Sequence, residues 1–429
     1  MRVTVGDPLQ RGYRVPRGRG HAVDVRWTVA LALALTLLPA CDSPRTTTAV
    51  EVAEAPDVAA LRAGGRATLK RLRAEGAPDE LLDAVAQQRD AAASGLFWET
   101  DMEHALSQAR ERGVPVLSLR MLGALTDERS CANSRFFRTL LYTDPALAKF
   151  LDESFVLHWS TERPVPQVEI DFGDGRVLHT TTTGNSAHYV LDANGKVLDV
   201  LPGLYDARTF HARLEEVSRL HAAIAEQPQR HDALLQAYHR DAAQAVEERL
   251  AALMGPDLRA WMNRAPGSAD DPPVPALAAQ PITVMKSRVE APLLSRIDLE
   301  SRALKREAIE ASLRSLAVPV TFSDAAQALV RRDRPRHSGE SDERYEARIA
   351  ALLESAGEGV AYDTLINEAR LHYQIHGWFA AGEATQNFEA LNARVYTELF
   401  ATPKSDRWLG LVDETTYDGL SEGDRAARG

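Results

Sequence analysis

Three stretches decide the fold of this chain: VPVLSL at residues 114–119, CANS at residues 131–134 and HYVLDANGKVL at residues 188–198. The first is a short apolar run bounded by turn-forming residues, which predicts a buried strand. The second begins a segment with apolar residues at helical spacing. The third places Asn194-Gly195 between two strand-like runs, which predicts a hairpin. Strand, helix and hairpin in this order indicate a mixed α/β sheet.

Neighbouring segments extend this α/β unit on both sides. Residues 101–112 carry apolar side chains at helical spacing and are followed by Gly113, a common helix terminator. Residues 155–159 (FVLHW) predict the next strand, and two strand-like runs around the Gly-Asp-Gly turn at 173–175 predict a second hairpin. A helix over 206–220 is expected to close the unit, because its apolar residues recur with helical period.

The order of these motifs carries a family resemblance. The pattern W-x(n)-A-L-x-x-A-R-x-x-G-V-P-V-L, then a cysteine helix, then F-V-L, and the D-x-N-G-K hairpin at 192–196 together resemble exported bacterial thioredoxin-like proteins. The resemblance covers residues 96–222 and implies an α/β thioredoxin-like domain, with a mixed sheet flanked by helices. It also implies a redox site at Cys131, where dithiol members carry C-x-x-C. This chain has Ser134 in place of the second cysteine.

Cys131 and Ser134 are therefore the candidate catalytic pair. A helix N-terminus stabilises a thiolate through its unpaired N–H groups, and the neighbouring Arg129 and Arg135 add positive charge. Ser134 can donate a hydrogen bond to a thiolate, but it cannot resolve a mixed disulfide. A C-x-x-S site therefore suits thiol exchange or isomerisation of monothiol type, with an external thiol as reductant.

The candidate substrate-binding residues are Asn185, Ser186 and His188. The resemblance places a cis-proline six residues before Asp192, and this chain has Ser186 there. A cis bond before a residue other than proline costs about 2.5–4 kcal/mol, so a trans bond is expected and the substrate-binding strand edge is altered. His188 is expected either to approach Cys131 as a base or to be an ordinary hydrogen-bonded strand histidine.

Two functional hypotheses follow from these residues. In the first, Cys131 exchanges disulfides with a protein client, which the helix-start cysteine beside arginines favours. In the second, the thioredoxin-like domain is a redox-inactive scaffold and the chain binds a partner protein through its helical domain. The loss of both the resolving cysteine and the cis-proline favours the second hypothesis.

The N-terminus predicts export and lipid attachment. Arginines, among them Arg14, Arg17, Arg19 and Arg26, precede a 14-residue apolar run at 27–40, which is too short for a comfortable membrane span and suits a signal peptide over 1–40. The run ends in Leu-Pro-Ala before Cys41 and resembles a bacterial lipobox, which implies lipidation at Cys41. A plain secretory signal and a short anchor helix are the alternatives. We therefore expect a lipid-anchored protein on the periplasmic side of the cell envelope.

The rest of the chain divides into a tether and helical segments. Residues 41–57 are rich in Thr, Ala, Pro and Glu and predict a flexible tether, and residues 58–95 predict a helical lead-in. Residues 227–429 predict an α-helical domain with a loop at 264–281. Within that domain, separate helices are expected at 341–355 and 363–376.

The charge of the chain excludes one class of partner. The net charge is −11, and the first 40 residues hold six arginines and two acidic residues, so the remaining 389 residues carry −15. Nucleic-acid binding depends on clustered Lys and Arg, so a nucleic-acid partner is not expected. The expected contacts are the membrane, through the lipid on Cys41, and a protein client or reductant.

One pair of histidines has metal-ligand spacing. His372 and His376 lie at i, i+4 on a predicted helix, with Glu368 one turn earlier. The sequence names no third ligand and contains no H-E-x-x-H motif. The pair is therefore interpreted as part of an amphipathic surface, and neither a metal nor a cofactor is assigned.

Overall fold

A computed structural model describes residues 57–181, 185–250, 262, 316–318, 320–400 and 402–405. The predicted signal peptide, Cys41, nearly all of the tether and the loop at 264–281 lie outside these residues. All of the described residues belong to one compact unit, Pro56–Gly429.

The centre of this unit is a mixed sheet. In chain order the strands are β1 (Val116–Leu122), β2 (Val156–Arg163), β3 (Gln167–Asp171), β4 (Val177–Thr181), β5 (Ala187–Leu191) and β6 (Val197–Pro202). Four of them form a sheet in the order β2-β1-β5-β6, in which β1 and β2 are parallel and the other neighbours are antiparallel. Strands β3 and β4 form a separate two-stranded hairpin. The predicted mixed α/β sheet and second hairpin are confirmed.

Helices precede, connect and follow the strands. They are α1 (Val58–Ala63), α2 (Gly65–Ala74), α3 (Asp79–Ala86), α4 (Ala91–Ser94), α5 (Met102–Arg112), α6 (Ala132–Phe136), α7 (Pro145–Ser154), α8 (Ala207–Glu226), α9 (His231–Leu250), α10 (Asp324–Asp333), α11 (Asp342–Ile366), α12 (Tyr373–Ala380) and α13 (Phe388–Arg394). Wider π-helical turns continue α6, α11 and α13 at Phe137–Leu141, Asn367–His372 and Val395–Leu399. The described residues after β6 are therefore mainly helical, as predicted.

Side chains at the helix starts explain where the helices around the sheet begin. Asp101, Asp144 and Asp206 precede α5, α7 and α8, and each carboxylate accepts a backbone N–H from the first turn. Such caps satisfy N–H groups that have no partner within the helix. Gly113 ends α5 with a φ of 67°, a conformation that glycine adopts without steric cost.

The C-terminal helices share the core of the sheet. One continuous set of buried apolar side chains contains Leu117 and Tyr189 from the sheet together with Leu235, Ile375 and Leu399 from later helices. The sheet and these helices therefore bury apolar surface against each other, which is the main source of stability in such a unit. Among the described residues, no helix is long and apolar enough to cross a membrane.

The predicted helix break between residues 355 and 363 was wrong. Helix α11 runs without interruption to Ile366 and continues through the π-helical turn into α12. Glycine usually weakens a helix, but here Gly357 provides room for another segment. A Cβ at this position would lie 2.2 Å from the carbonyl oxygen of Val320, so the glycine permits close packing and does not end the helix.

Candidate functional site

Cys131 lies at the start of α6, as the sequence predicts. Its φ and ψ of −58° and 160° are those of a capping residue, and its Sγ accepts the backbone N–H of Ser134 at 3.5 Å. The side chain is fully buried. Cys131 therefore acts as the N-cap of its own helix, and solvent does not reach its sulfur in this conformation.

Ser134 is also buried, and its hydroxyl does not donate to the Cys131 sulfur, as stabilisation of a thiolate would require. The hydroxyl donates to the backbone carbonyl of Cys131 at 2.9 Å. The contact between Ser134 and the sulfur is made by the backbone N–H, which any residue except proline would supply. Ser134 thus stabilises the helix start, and its hydroxyl is already engaged.

Charge near the sulfur comes from Arg135. Burial lowers the pKa of the Arg135 guanidinium, while the negative charge that Cys131 can carry acts in the opposite direction. The two side chains are therefore close enough to interact electrostatically, which confirms that an arginine accompanies the thiol. The guanidinium is itself largely removed from water.

A hydrogen bond joins the cysteine helix to the strand that the sequence predicts as the substrate-binding edge. Asn133 donates its side-chain amide to the hydroxyl of Ser186 at 2.7 Å, and both residues are buried. The described residues contain no cis peptide bond, so the bond between Asn185 and Ser186 is trans, as expected. The structure thus brings the CANS helix and Ser186 together.

The same strand edge is covered by the C-terminal part of the chain. The backbone carbonyl of Asn185 accepts the Tyr396 hydroxyl at 3.0 Å, and the Asn185 amide donates to the Thr402 hydroxyl at 3.0 Å. Burial raises the pKa of Tyr396 well above its ordinary value, and Cys131 is among the nearby groups that add to this shift. The residues proposed to bind substrate are therefore occupied by contacts within the chain.

His188 is a buried strand histidine with a hydrogen-bond partner. Its Nε2 lies 2.6 Å from the hydroxyl of Tyr142, and its ring packs edge-on against Phe137 and Phe210, each 4.8 Å away between ring centroids. Burial lowers the pKa of His188 to about 3. The imidazole is therefore neutral at physiological pH and forms part of the core.

A second polar cluster lies between β6 and the C-terminal helices. His372 and His376 are almost completely buried, so their interpretation as a surface pair was wrong. His372 Nε2 is 2.9 Å from Asp199 Oδ1, and His372 Nδ1 is 3.2 Å from Glu368 Oε1. Both ring nitrogens thus face carboxylates, an arrangement that requires both to carry hydrogens.

The protonation states in this cluster follow from burial and from these contacts. Burial opposes the charge on His372, but Asp199 and Glu368 outweigh it and raise the pKa of His372 to about 9. Burial likewise opposes ionisation of Asp199 and Glu368, yet His372 holds the pKa of each carboxyl below its ordinary value. His372 is therefore an imidazolium between two carboxylates at neutral pH.

The second histidine of the pair has its own partner, His239 on α9. The Nδ1 atoms of His239 and His376 are 2.7 Å apart, and His239 Nε2 lies 3.0 Å from the carbonyl oxygen of Leu198. Burial lowers the pKa of His239 to about 4. Burial lowers the pKa of His376 as well, and the positive charge of His372 adds to that shift. Both rings are therefore neutral.

Sequence reasoning missed Asp199 and His239 as members of this cluster. The available signal was the acidic residue in the middle of the apolar run VLDVL at 197–201, since a carboxylate inside a buried strand needs a partner. No local pattern marks His239. It lies 137 positions from His376, and only the packing of α9 against α12 brings the two rings together.

Comparison with family models, with curated proteins and with solved structures finds no match to this chain. Its function is therefore inferred from the geometry of its own side chains.

Proposed function

We propose that this chain is a lipid-anchored protein of the bacterial cell envelope, in which a thioredoxin-like unit serves as a redox-inactive scaffold and the helical part binds a partner protein. The observation that most strongly supports this proposal is that Cys131 is fully buried. A thiol exchanges with a disulfide only when its sulfur can approach another sulfur in line. Without solvent access, Cys131 has no such approach in the folded chain.

The contacts around Cys131 support the scaffold proposal. The Ser134 hydroxyl is engaged by a backbone carbonyl, and Asn185 is held by Tyr396 and Thr402. In the thioredoxin-like proteins that this chain resembles, a substrate would dock on that strand edge. Here, the later part of the same chain occupies it. The sheet order, with the cysteine helix between parallel strands and a closing hairpin and helix, is compatible with a thioredoxin-like unit.

The reaction of Cys131 with iodoacetamide tests this proposal. The full chain would carry Cys41→Ser, so that Cys131 is its one remaining thiol. We expect alkylation in buffer to be about 100-fold slower than in denaturant, because a local opening that costs about 3 kcal/mol must precede reaction. Equal rates in buffer and denaturant would contradict the scaffold proposal.

Monothiol exchange is the second candidate, because the Cys131 sulfur accepts a backbone N–H at a helix start. This position would stabilise the thiolate during exchange. The thiolate would attack one sulfur of glutathione disulfide, form a protein–glutathione mixed disulfide and release glutathione thiolate. A second glutathione would then regenerate Cys131 and release glutathione disulfide. Rapid adduct formation in the folded protein, reversed by added glutathione, would favour this function over the scaffold.

Membrane attachment is tested separately from the thiol. Lipidation at Cys41 predicts that the full chain partitions with membranes and incorporates a labelled fatty acid, whereas Cys41→Ser does neither. Export by a plain secretory signal would instead give a soluble envelope protein without label. The Cys131→Ser variant is the matched control, since it removes the other cysteine and leaves Cys41 in place.

A further inference from the structure

Three buried side chains from separate elements converge between the sheet and the helices. Asp199 comes from β6, His239 from α9 and His376 from α12, and each offers one ligand atom within 4.8 Å of the other two. We infer that Asp199, His239 and His376 form a binding site for a divalent transition-metal ion that joins the sheet to the helical part of the chain. This inference is independent of the redox state of Cys131.

The donor set has the chemistry of such a site. Two imidazoles and one carboxylate are ligands that Zn²⁺ takes in proteins, and the same combination binds Fe²⁺ in a facial triad. Ca²⁺ and Mg²⁺ prefer oxygen ligands, so two nitrogens select against them. All three residues are buried, so the proposed site is removed from solvent.

His239 is in the tautomer that leaves the lone pair of Nδ1 available to a metal. Its Nε2 faces the carbonyl oxygen of Leu198 at 3.0 Å, so this nitrogen carries the hydrogen and donates it. In a neutral ring the lone pair then resides on Nδ1, which points toward His376. Metal-binding histidines usually donate their other N–H to a carbonyl or carboxylate in this way, and that bond fixes the ring orientation.

Neighbouring side chains hold the Asp199 carboxylate in place. The Tyr238 hydroxyl donates to Oδ2 at 2.8 Å, and His372 Nε2 donates to Oδ1 at 2.9 Å. Oδ1 also accepts the backbone N–H of Val200 at 2.7 Å, so the lone pair that remains for a metal is on Oδ2. Glu368 orients His372 from the other side. These residues are positioning residues in the proposed site.

The distance between the two histidine rings shows how far they must move apart for a metal to bind. The two histidine Nδ1 atoms are 2.7 Å apart, a distance at which they share one hydrogen, and this hydrogen must leave Nδ1 of His376 before both nitrogens can bind a metal. Two nitrogen ligands of a tetrahedral Zn²⁺ are about 3.3 Å apart, given Zn–N bonds of about 2.05 Å. The rings therefore need to separate by about 0.6 Å. Because the rings must first move apart, we expect weaker binding than at a site whose ligands are already placed for the metal.

Co²⁺ titration of the full chain, with Cys41→Ser, tests the site. A tetrahedral site with nitrogen ligands gives intense visible absorption with Co²⁺, and added Zn²⁺ should remove it at a ratio of one metal per chain. His376→Gln, His239→Gln and Asp199→Asn should each weaken Co²⁺ binding at least about tenfold, the loss expected when one ligand is removed. His211→Gln, on α8 and paired with Glu215, is the matched control and should bind as the parent does.

Thermal unfolding gives a readout that does not depend on colour. Zn²⁺ should raise the melting temperature of the parent and of His211→Gln but not that of the ligand variants, since a metal that binds only the folded state stabilises it. If the parent shows neither Co²⁺ absorption nor a Zn²⁺-dependent rise in melting temperature, the proposal is overturned, and the histidine pair is a hydrogen-bonded core contact. The parent alone decides this outcome, so a ligand variant that fails to fold leaves the test intact.

Discussion

Asn185 donates its side-chain amide to the hydroxyl of Thr402 at 3.0 Å, although 217 positions separate the two residues in the chain. The Asn185 carbonyl accepts the Tyr396 hydroxyl on the same side. These bonds tie the residues that lead into β5 to the last described part of the chain. Tyr396 also lies close enough to Cys131 to interact with it electrostatically, so the C-terminal residues pack beside the thiol.

Removing one of these bonds should loosen the packing of the C-terminal residues beside Cys131. Tyr396→Phe deletes the hydroxyl and leaves the Asn185 carbonyl without this donor, which should cost about 1 kcal/mol of unfolding free energy. If opening of this contact exposes the thiol, alkylation of native Cys131 should accelerate about fivefold. Tyr373→Phe is the control, since its hydroxyl donates to Glu247 at 2.7 Å and its ring packs against a different apolar cluster. An unchanged alkylation rate would show that the Tyr396 hydroxyl does not limit access of the reagent to Cys131.

The capping role of Cys131 predicts a difference between two substitutions. Serine is a good N-cap and alanine is not, so Cys131→Ala should lose about 1–2 kcal/mol of stability from the missing cap and the lost sulfur volume. Cys131→Ser should lose less, because its oxygen can accept the Ser134 N–H. Urea unfolding of both variants measures the difference. Equal losses would mean that the cap contributes nothing and that packing alone sets the cost.

Burial of neutral His188 predicts acid sensitivity. Its pKa is about 3 in the folded chain and about 6.5 when unfolded, so the unfolded state binds the extra proton first. Stability should therefore fall as the pH drops below about 6.5, and continue to fall until the pH nears 3. His188 alone should account for about 2 kcal/mol between pH 7 and pH 5.

His188→Gln should flatten the pH profile of the unfolding free energy by this amount, whatever it does to stability at pH 7. His337→Gln, at an exposed loop position, is the comparison and should leave the slope unchanged. A slope that survives His188→Gln would place the acid-sensitive group elsewhere, for example at His158, which burial gives a pKa of about 4.

The imidazolium of His372 should be essential to the stability of the buried cluster. His372→Gln leaves Asp199 and Glu368 without the cation between them, and breaking a buried ion pair in this way typically costs about 3–5 kcal/mol. Adding Asp199→Asn should restore part of the loss, because the uncompensated charge disappears. Chemical unfolding of the single and double variants gives the coupling energy. Strictly additive losses would contradict the ion-pair interpretation.

Local patterns could predict much of the α/β unit. The capping position of Cys131 and the hairpin around Asn194-Gly195 are determined by nearby residues, and Gly195 has the positive φ of 79° that such turns require. The polar cluster could not be predicted in the same way. The spacing of His372 and His376 places them on one helix face, but it does not say whether that face meets solvent or Asp199.

The contacts of Asn185 with Tyr396 and Thr402 also depend on packing between distant parts of the chain. Nothing near Ser186 in the sequence indicates that Tyr396 and Thr402 will occupy its strand edge. A resemblance confined to residues 96–222 also cannot show what a later helical segment covers. The local fold was therefore predictable from the sequence, whereas the contacts that engage Asn185 span more than 200 positions of the chain.

The contact between Asn185 and Thr402 can form only late in biosynthesis. Because a chain emerges from the ribosome with its N-terminal part first, Cys131 and Asn185 appear long before Tyr396 and Thr402. During that interval Asn185 lacks the hydroxyl groups that Tyr396 and Thr402 supply. A chain halted before residue 396 would therefore leave the backbone carbonyl and the side-chain amide of Asn185 without these two partners.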